Sequence, residues 1–210
     1  MADYVTVAEI KNDMPDSDID TLNEYDAVLS EMISSASRLI DREVGGWNDY
    51  FYPSTDDTVR YYDGNGEDEL YIEPLVSLTS VSVAESGGRS SSSYTDWTLN
   101  TDYYTWPYNS TDTGDPIEAL IVDNDSGSKG NFHKSRKAVK VTGVFGWSSE
   151  PPDEIVQACK ITVMRWFMRS KQGYQDASAS ERLGQMLYTK ELDPDVKRLL
   201  NPYKLHNLVM

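Results

Sequence analysis

Cysteine and histidine are scarce in this sequence of 210 residues, which has one cysteine and two histidines. A lone cysteine excludes a disulfide framework within the chain, and Cys159 follows a helical apolar pattern in which it is expected to be a small buried side chain. Neither His133 nor His206 has a second ligand at zinc-binding spacing. The sequence therefore predicts no metal site and no other cofactor.

Long apolar runs and secretion signals are also missing. No stretch of about eighteen apolar residues occurs, so nothing is expected to span a membrane. The first residues, MADYVTVAEIKN, lack the basic and apolar regions of a signal peptide. The protein is therefore expected to work in the compartment where it is made.

The motifs that carry catalysis are absent as well. There is no Walker-type phosphate loop, no glycine-rich dinucleotide motif and no serine in a nucleophile elbow. The acidic run of residues 63–68 departs from a calcium loop at its sixth and twelfth positions, which favours an ordinary turn. Carboxylates are numerous enough for a glycosidase pair, but an acidic solvated surface explains them better. No enzymatic activity is predicted.

The sequence contains few positive charges: it has 19 Lys and Arg and 35 Asp and Glu, which gives a net charge of −16. Residues 1–149 hold 27 of the acidic residues and 10 of the basic ones, and five of those ten lie within residues 129–140. A body this acidic repels a phosphate backbone at close range. The charge argues against a protein that binds DNA tightly, but not against one that DNA passes by.

Helical patterns are present at both ends of the chain. A capping box that starts at Thr6 predicts a short helix, and a long amphipathic helix is expected from about Thr21 to Val44. An N-cap at Asp193 predicts a short final helix. The segment PPDEIVQACKITVMRWFMRSK, residues 151–171, is apolar almost all the way round a helix and should form the central element.

Such wide apolar coverage needs neighbours on more than one side of the central helix. One side is expected to pack within the chain and the far side against another subunit. The residues predicted at that subunit interface are Val156, Val163, Trp166 and Phe167.

Between the helical segments the pattern changes to strands separated by turns rich in Gly, Asn and Pro. Residues 58–62 and 70–72 flank a DGNG turn that is typical of a hairpin, and residues 78–84 alternate as a further strand does. The predicted fold class is α+β, with a mostly antiparallel β insertion in a helical core. The predicted divisions are residues 1–56 and 148–203 for the core, 57–147 for the insertion and 204–210 for an apolar tail.

Two surface features have alternative interpretations. The stretch KGNFHKSRKAVK is either a solvated loop or a mobile cationic hairpin that contacts DNA or the acidic face of a neighbouring copy, through Lys129, Lys134, Arg136 and Lys137. An aromatic run is either part of a half-buried sheet or a stacking platform, as in a soluble β-rich carbohydrate-binding module. The run consists of Tyr103, Tyr104, Trp106 and Tyr108.

Six segments occur in a specific order: SRLIDREVGGW, RYYDGNGEDELYI, LVSLTSVSV, VKVTGVFGW, PPDEIVQACKITVMRWF and LDPDVKRLLNPYK. In this order and spacing they resemble the head-tail connector, or adaptor, proteins of tailed bacteriophages. The resemblance extends from about Thr6 to Lys204. The segment of residues 83–138 is longer and richer in loops than in compact members of that family.

The resemblance implies a structural virion protein without catalysis that acts at head completion. Such a protein forms a ring, a dodecamer, under the portal protein at the neck, extends the DNA channel and receives the next neck or tail-completion protein. DNA passes through the ring without sequence-specific binding, and no membrane is involved. The implied location is the portal vertex of the virion, and the host cytoplasm during assembly. Because the C-terminal region of the family engages the portal, the expected portal-docking positions are Leu205, Leu208, Val209 and Met210.

Overall fold

The computed structural model describes residues 2–14, 23–84, 94–125, 127–171 and 192–205. Its helices and antiparallel sheet make it an α+β protein, as predicted from the sequence. Short 3₁₀ turns at Asn23–Tyr25 and Asn201–Tyr203 accompany the regular elements. In chain order these are α1 (Val7–Asn12), α2 (Asp26–Glu43), β1 (Thr58–Tyr62), β2 (Glu69–Ala84), β3 (Tyr94–Trp97), β4 (Tyr103–Trp106), α3 (Ser110–Thr113), β5 (Ile117–Val122), β6 (Val139–Phe145), α4 (Asp153–Lys171) and α5 (Pro194–Leu200).

The described residues form two compact units. The helical unit contains residues 2–49 and 151–205, and the β unit contains residues 50–150. No helix in the described parts of the chain combines the length and hydropathy needed to cross a bilayer.

Local capping signals begin the short helices as the sequence predicts. At α1 the Oγ1 atom of Thr6 accepts from the Glu9 N–H at 3.3 Å, and the Glu9 carboxylate accepts from the Thr6 N–H at 2.7 Å. At α5 the Asp193 carboxylate accepts from the Asp195 N–H at 2.9 Å. Both contacts satisfy backbone donors that have no partner in the first helical turn.

The core of the helical unit forms where α2 packs on α4. Four apolar residues of α2 at helical spacing are buried, as the periodicity predicts, whereas Val28 is exposed and Met32 and Leu39 are half-buried. The buried residues of α4 also follow helical spacing. An ion pair of 3.0 Å between Arg165 and Asp193 joins α4 to the start of α5. The buried apolar residues of α2 and α4 are Leu29, Ile33, Ala36, Ile40, Ile155, Ala158, Cys159, Val163 and Phe167.

The β unit is built around β2, a strand of 16 residues in a six-stranded sheet. The strand order is β1-β6-β2-β5-β4, and β3 also pairs with β2. The first part of β2 pairs with β5, and the second part pairs with β6 and β3. The two predicted strands at 70–72 and 78–84 are therefore one strand, with register shifts that mark bulges along it.

The predicted hairpin between β1 and residues 70–72 is wrong. β1 pairs with β6, which lies between β1 and β2. The turn after β1 bonds to another loop, since the Gly64 N–H donates to the Ser135 carbonyl and the Gly66 N–H to the Phe132 carbonyl, each at 2.9 Å. A favourable turn directs only the local backbone, whereas pairing depends on which strand supplies buried partners, here Val139 and Val141 of β6.

Candidate functional site

The four residues predicted at a subunit interface on α4 divide into two pairs. Val163 and Phe167 are 0% and 1% exposed, so they pack inside this chain, where the Phe167 ring meets the Tyr25 ring edge to face at 5.4 Å. Val156 and Trp166 are half-buried. Only the second pair has surface left for another molecule, and the interface role of α4 remains a prediction.

Trp166 lines an open groove of about 380 Å³ in the helical unit. Val28, which also lines the groove, is 41% exposed, and elsewhere on α4 Met168 is 52% exposed. An apolar floor with one acidic and one basic side chain suits the side chains of another protein. The other described lining residues are Glu31, Met32, Ser35 and Arg169.

A buried carboxylate on α2 is fully engaged in structural contacts. The Asp41 side chain accepts hydrogen bonds from the Tyr4 hydroxyl and, at 3.2 Å, from the Asp49 N–H. It also lies 3.2 Å from the Arg38 Nε atom, and Arg38 pairs with Asp49 at 3.0 Å. Because its oxygens already have these partners, Asp41 anchors the first residues of the chain and does not resemble a catalytic acid.

Of the predicted portal-docking tail, only Leu205 lies within the described residues; Leu208, Val209 and Met210 lie outside them. The Leu205 N–H donates to the Val44 carbonyl at 2.8 Å, which fixes the start of the tail at the C-terminal end of α2.

The residues just before this tail are fixed as well. The Tyr203 hydroxyl donates to the Glu154 carboxylate at 2.9 Å. Burial, reinforced by this hydrogen bond, raises the pKa of Tyr203 to about 12, so the phenol stays a donor at neutral pH.

The basic loop between β5 and β6 is anchored to the β unit through Phe132. This ring is 0% exposed and stacks on Trp97, with centroids 5.4 Å apart. The Phe132 N–H donates to the Glu67 carbonyl at 2.9 Å. Since β5 and β6 do not pair with each other, the segment is not a hairpin, which was one of the two interpretations of the sequence. The burial of Phe132 was not predicted, and its only signal in the sequence was a single aromatic residue in a polar stretch.

The four predicted contact cations lie on this anchored loop. Lys134, Arg136 and Lys137 are exposed and Lys129 is half-buried. The Lys137 Nζ atom lies 5.7 Å from the ring centroid of Tyr61. Within the described residues, none of the four forms an ion pair with a carboxylate. Their positive charge is therefore presented to solvent, and contact with DNA or with a neighbouring copy remains a prediction.

The aromatic run, for which a half-buried sheet and a stacking platform were the alternative interpretations, is only partly exposed. Tyr103 is 2% exposed, and burial raises its pKa to about 12. Tyr104 is half-buried, and its hydroxyl donates to Asp123 at 3.0 Å. Trp106 and Tyr108 are 44% and 60% exposed, but their planes meet at 87°. Perpendicular rings do not provide the shared flat face on which a sugar ring or a base stacks.

The described residues contain no cluster of three or more His, Cys, Asp or Glu that could hold a metal ion. Cys159 is 0% exposed, and burial raises its pKa to about 12. A thiol with that pKa is protonated at neutral pH and is a poor nucleophile.

The fold of the chain is shared with protein chains in two solved particle structures. One is the neck of an empty gene transfer agent (GTA) particle, computed with C6 symmetry, with a TM-score of 0.51 and 10% sequence identity. The other is the virion of a native gene transfer agent particle, with a TM-score of 0.53 and 13% identity. Each likeness covers 98% of this chain and 92% of the other. No protein-family model and no curated protein sequence matches the chain.

Proposed function

We propose that this protein is a structural component of the neck of a phage-like particle. Its role is that of a head-tail connector, or adaptor, which forms a ring under the portal protein, extends the DNA channel and provides the attachment surface for the next neck or tail-completion protein. The observation that carries this proposal is the extent of the fold shared with the GTA neck chain, 98% of this chain and 92% of that one. Because nearly the whole chain is covered, the structural likeness extends over both the helical unit and the β unit.

A ring of copies is supported by surface that one copy leaves uncovered. The groove beside Trp166 and the exposed side chains of Val28 and Met168 place apolar area on the helical unit. A neighbouring copy that covers this area makes a heterologous contact, which closes into a ring when the rotation between copies permits. The GTA neck was computed with C6 symmetry, which accommodates six or twelve equivalent copies. A dodecamer is the proposed state.

The proposed protein has no catalytic activity and guides DNA by charge. With a net charge of −16, a ring of copies repels phosphates, so a duplex passes through its channel without being held. No observation favours the alternative of a carbohydrate-binding module, because the exposed rings of Trp106 and Tyr108 are perpendicular and both structural neighbours belong to virus-like particles.

Binding to portal-bearing heads tests this function. The purified protein is mixed with DNA-filled heads that contain a portal but lack neck proteins, and the particles are separated by sedimentation and imaged by cryo-electron microscopy. We expect ring density at the portal vertex and nowhere else on the shell. Shells assembled without a portal are the control and should retain no protein. Absence of binding to portal-bearing heads, or equal binding to both kinds of shell, would contradict the proposal.

A further inference from the structure

Charge in the β unit is segregated along the chain. Residues 94–125 contain seven acidic residues and no Lys, Arg or His, whereas residues 127–149 contain five Lys or Arg, one His and no acidic residue. The first stretch forms β3, β4, α3 and β5, and the second forms the basic loop and β6. β1 and β4 end the strand order, with β6 beside β1 and β5 beside β4. Within residues 94–149, the acidic residues therefore lie toward the β4 edge of the sheet and the basic ones toward the β1 edge, where Asp56, Asp57 and Asp63 flank β1 in the sequence.

The basic face lies on β1, β6 and the loop before β6. At its centre Tyr61 and Val59 of the edge strand β1 are 49% and 46% exposed. Lys140 is the register partner of Tyr61, and the Lys137 Nζ atom lies over the Tyr61 ring. We define the basic face as Val59, Tyr61, Lys134, Arg136, Lys137 and Lys140.

The cations of the basic face have no acidic partner among the described residues. The Asp63 carboxylate contacts the face through the backbone, since it accepts a hydrogen bond from the Lys137 N–H at 2.7 Å. Arg60 on the same strand is engaged differently, since it pairs with Glu73 at 2.8 Å. In a protein with nearly two acidic residues for each basic one, unpaired cations gathered at one place are available to an acidic partner.

The acidic face lies on β4 and the connection between β4 and β5. Trp106 and Tyr108 are exposed, with ring centroids 4.9 Å apart. Asp112 and Asp115 lie on α3 and the turn after it, and both carboxylates are exposed. We define the acidic face as Trp106, Tyr108, Asp112 and Asp115.

We propose that the basic face of one copy docks on the acidic face of the next copy in the ring; this inference rests on the proposed function. The two faces differ, so the contact is heterologous, as ring closure requires. Each has exposed aromatic surface at its centre and charges around it, which is the usual arrangement of a protein interface. Copies that each carry −16 repel one another, and the basic face offsets that repulsion where they meet. The exposed apolar centre of the basic face favours a protein partner over a phosphate backbone.

Charge reversal on each face tests the pairing. One variant combines Lys134→Glu with Arg136→Glu, and the other combines Asp112→Lys with Asp115→Lys. Ring formation is measured on portal-bearing heads and, in solution, by mass photometry. Each variant alone brings like charges together and should assemble about tenfold less well than the wild type. An equimolar mixture should recover assembly, because alternating copies restore opposite charges at every contact.

The matched control for the basic-face variant is Arg42→Glu with Arg198→Glu. It changes the net charge by the same amount as that variant, but on exposed residues of the helical unit. It should assemble like the wild type, and recovery in the mixture shows that the paired variants are folded. If both face variants assemble normally, or fail without recovery on mixing, the face pairing is overturned while the neck function stands on wild-type binding. If the basic-face variant assembles but retains packaged DNA less well, the face contacts DNA and the pairing is wrong. A wild type that never assembles on heads would overturn both proposals.

Discussion

At the scale of single residues, burial determines what Cys159 can do. Its side chain is 0% exposed, and its sulfur lies 3.8 Å from the Ser37 Oγ atom. Burial disfavours the thiolate and raises the pKa of the thiol to about 12. A group whose pKa is raised in the folded state contributes stability that is complete below its unfolded pKa and is lost as pH rises toward the folded value.

We expect Cys159 to make the protein less stable between pH 9 and about 12, the interval between its ordinary and raised pKa values. The unfolded chain loses the thiol proton first, so each pH unit within this interval favours unfolding by up to about 1.4 kcal/mol. Urea unfolding of the wild type and of Cys159→Ala should be compared across this range. The tyrosines titrate in both proteins, so the difference in unfolding free energy isolates the thiol. A difference that stays constant with pH would disprove the assignment.

At the scale of elements, the turn after β1 serves to hold the basic loop. A Cβ atom added at Gly64 would lie 1.9 Å from the His133 carbonyl oxygen, a distance that two such atoms cannot adopt. The Gly64 N–H meanwhile donates to the Ser135 carbonyl at 2.9 Å. Glycine is therefore required at this position because the two backbones approach closely. The sequence predicted a hairpin turn here and did not predict this close approach.

Substitution of Gly64→Ala is expected to destabilise the β unit by about 1–3 kcal/mol, since the loop backbone has to move away. Thermal unfolding gives the size of the effect, and faster amide exchange at Phe132 would locate it in the loop. Gly130→Ala is the matched control, because a Cβ there meets no atom within 4 Å. The control should change stability by less than about 0.5 kcal/mol. Equal effects of the two substitutions would show that the close approach is not limiting.

At the scale of the whole molecule, the tail after Leu205 carries apolar side chains beyond the last described contact. The bond from the Leu205 N–H to the Val44 carbonyl ends the described chain at α2. Three of the five residues that follow are Leu208, Val209 and Met210. An apolar segment of this length cannot form a core of its own, and portal docking is the role we propose for it.

Truncation after Leu205 is expected to leave the melting temperature nearly unchanged and to reduce binding to portal-bearing heads about tenfold or more, because the proposed role of the removed side chains is apolar burial against the portal. Circular dichroism measures the first quantity and co-sedimentation the second. A full-length variant with Leu208→Ser, Val209→Ser and Met210→Ser keeps the chain length and should bind as weakly as the truncation. Undiminished binding by the truncated protein would remove the docking role.

The sequence by itself determined the features that depend on neighbours within a few residues. The caps at Thr6 and Asp193 and the helix within residues 151–171 were predicted correctly, because each reflects side chains within about one helical turn of one another. The α+β class followed from these elements. The resemblance in element order anticipated the fold shared with chains of a virus-like particle.

Only the tertiary structure decided which elements meet. The pairing of β1 with β6, the burial of Phe132 under a polar loop and the covering of Val163 and Phe167 within the chain join residues far apart in sequence. Periodicity shows that a face is apolar but does not identify the element that covers it. The separation of charge between residues 94–125 and 127–149 is visible in the sequence, but which sheet edge carries each charge depends on the strand order.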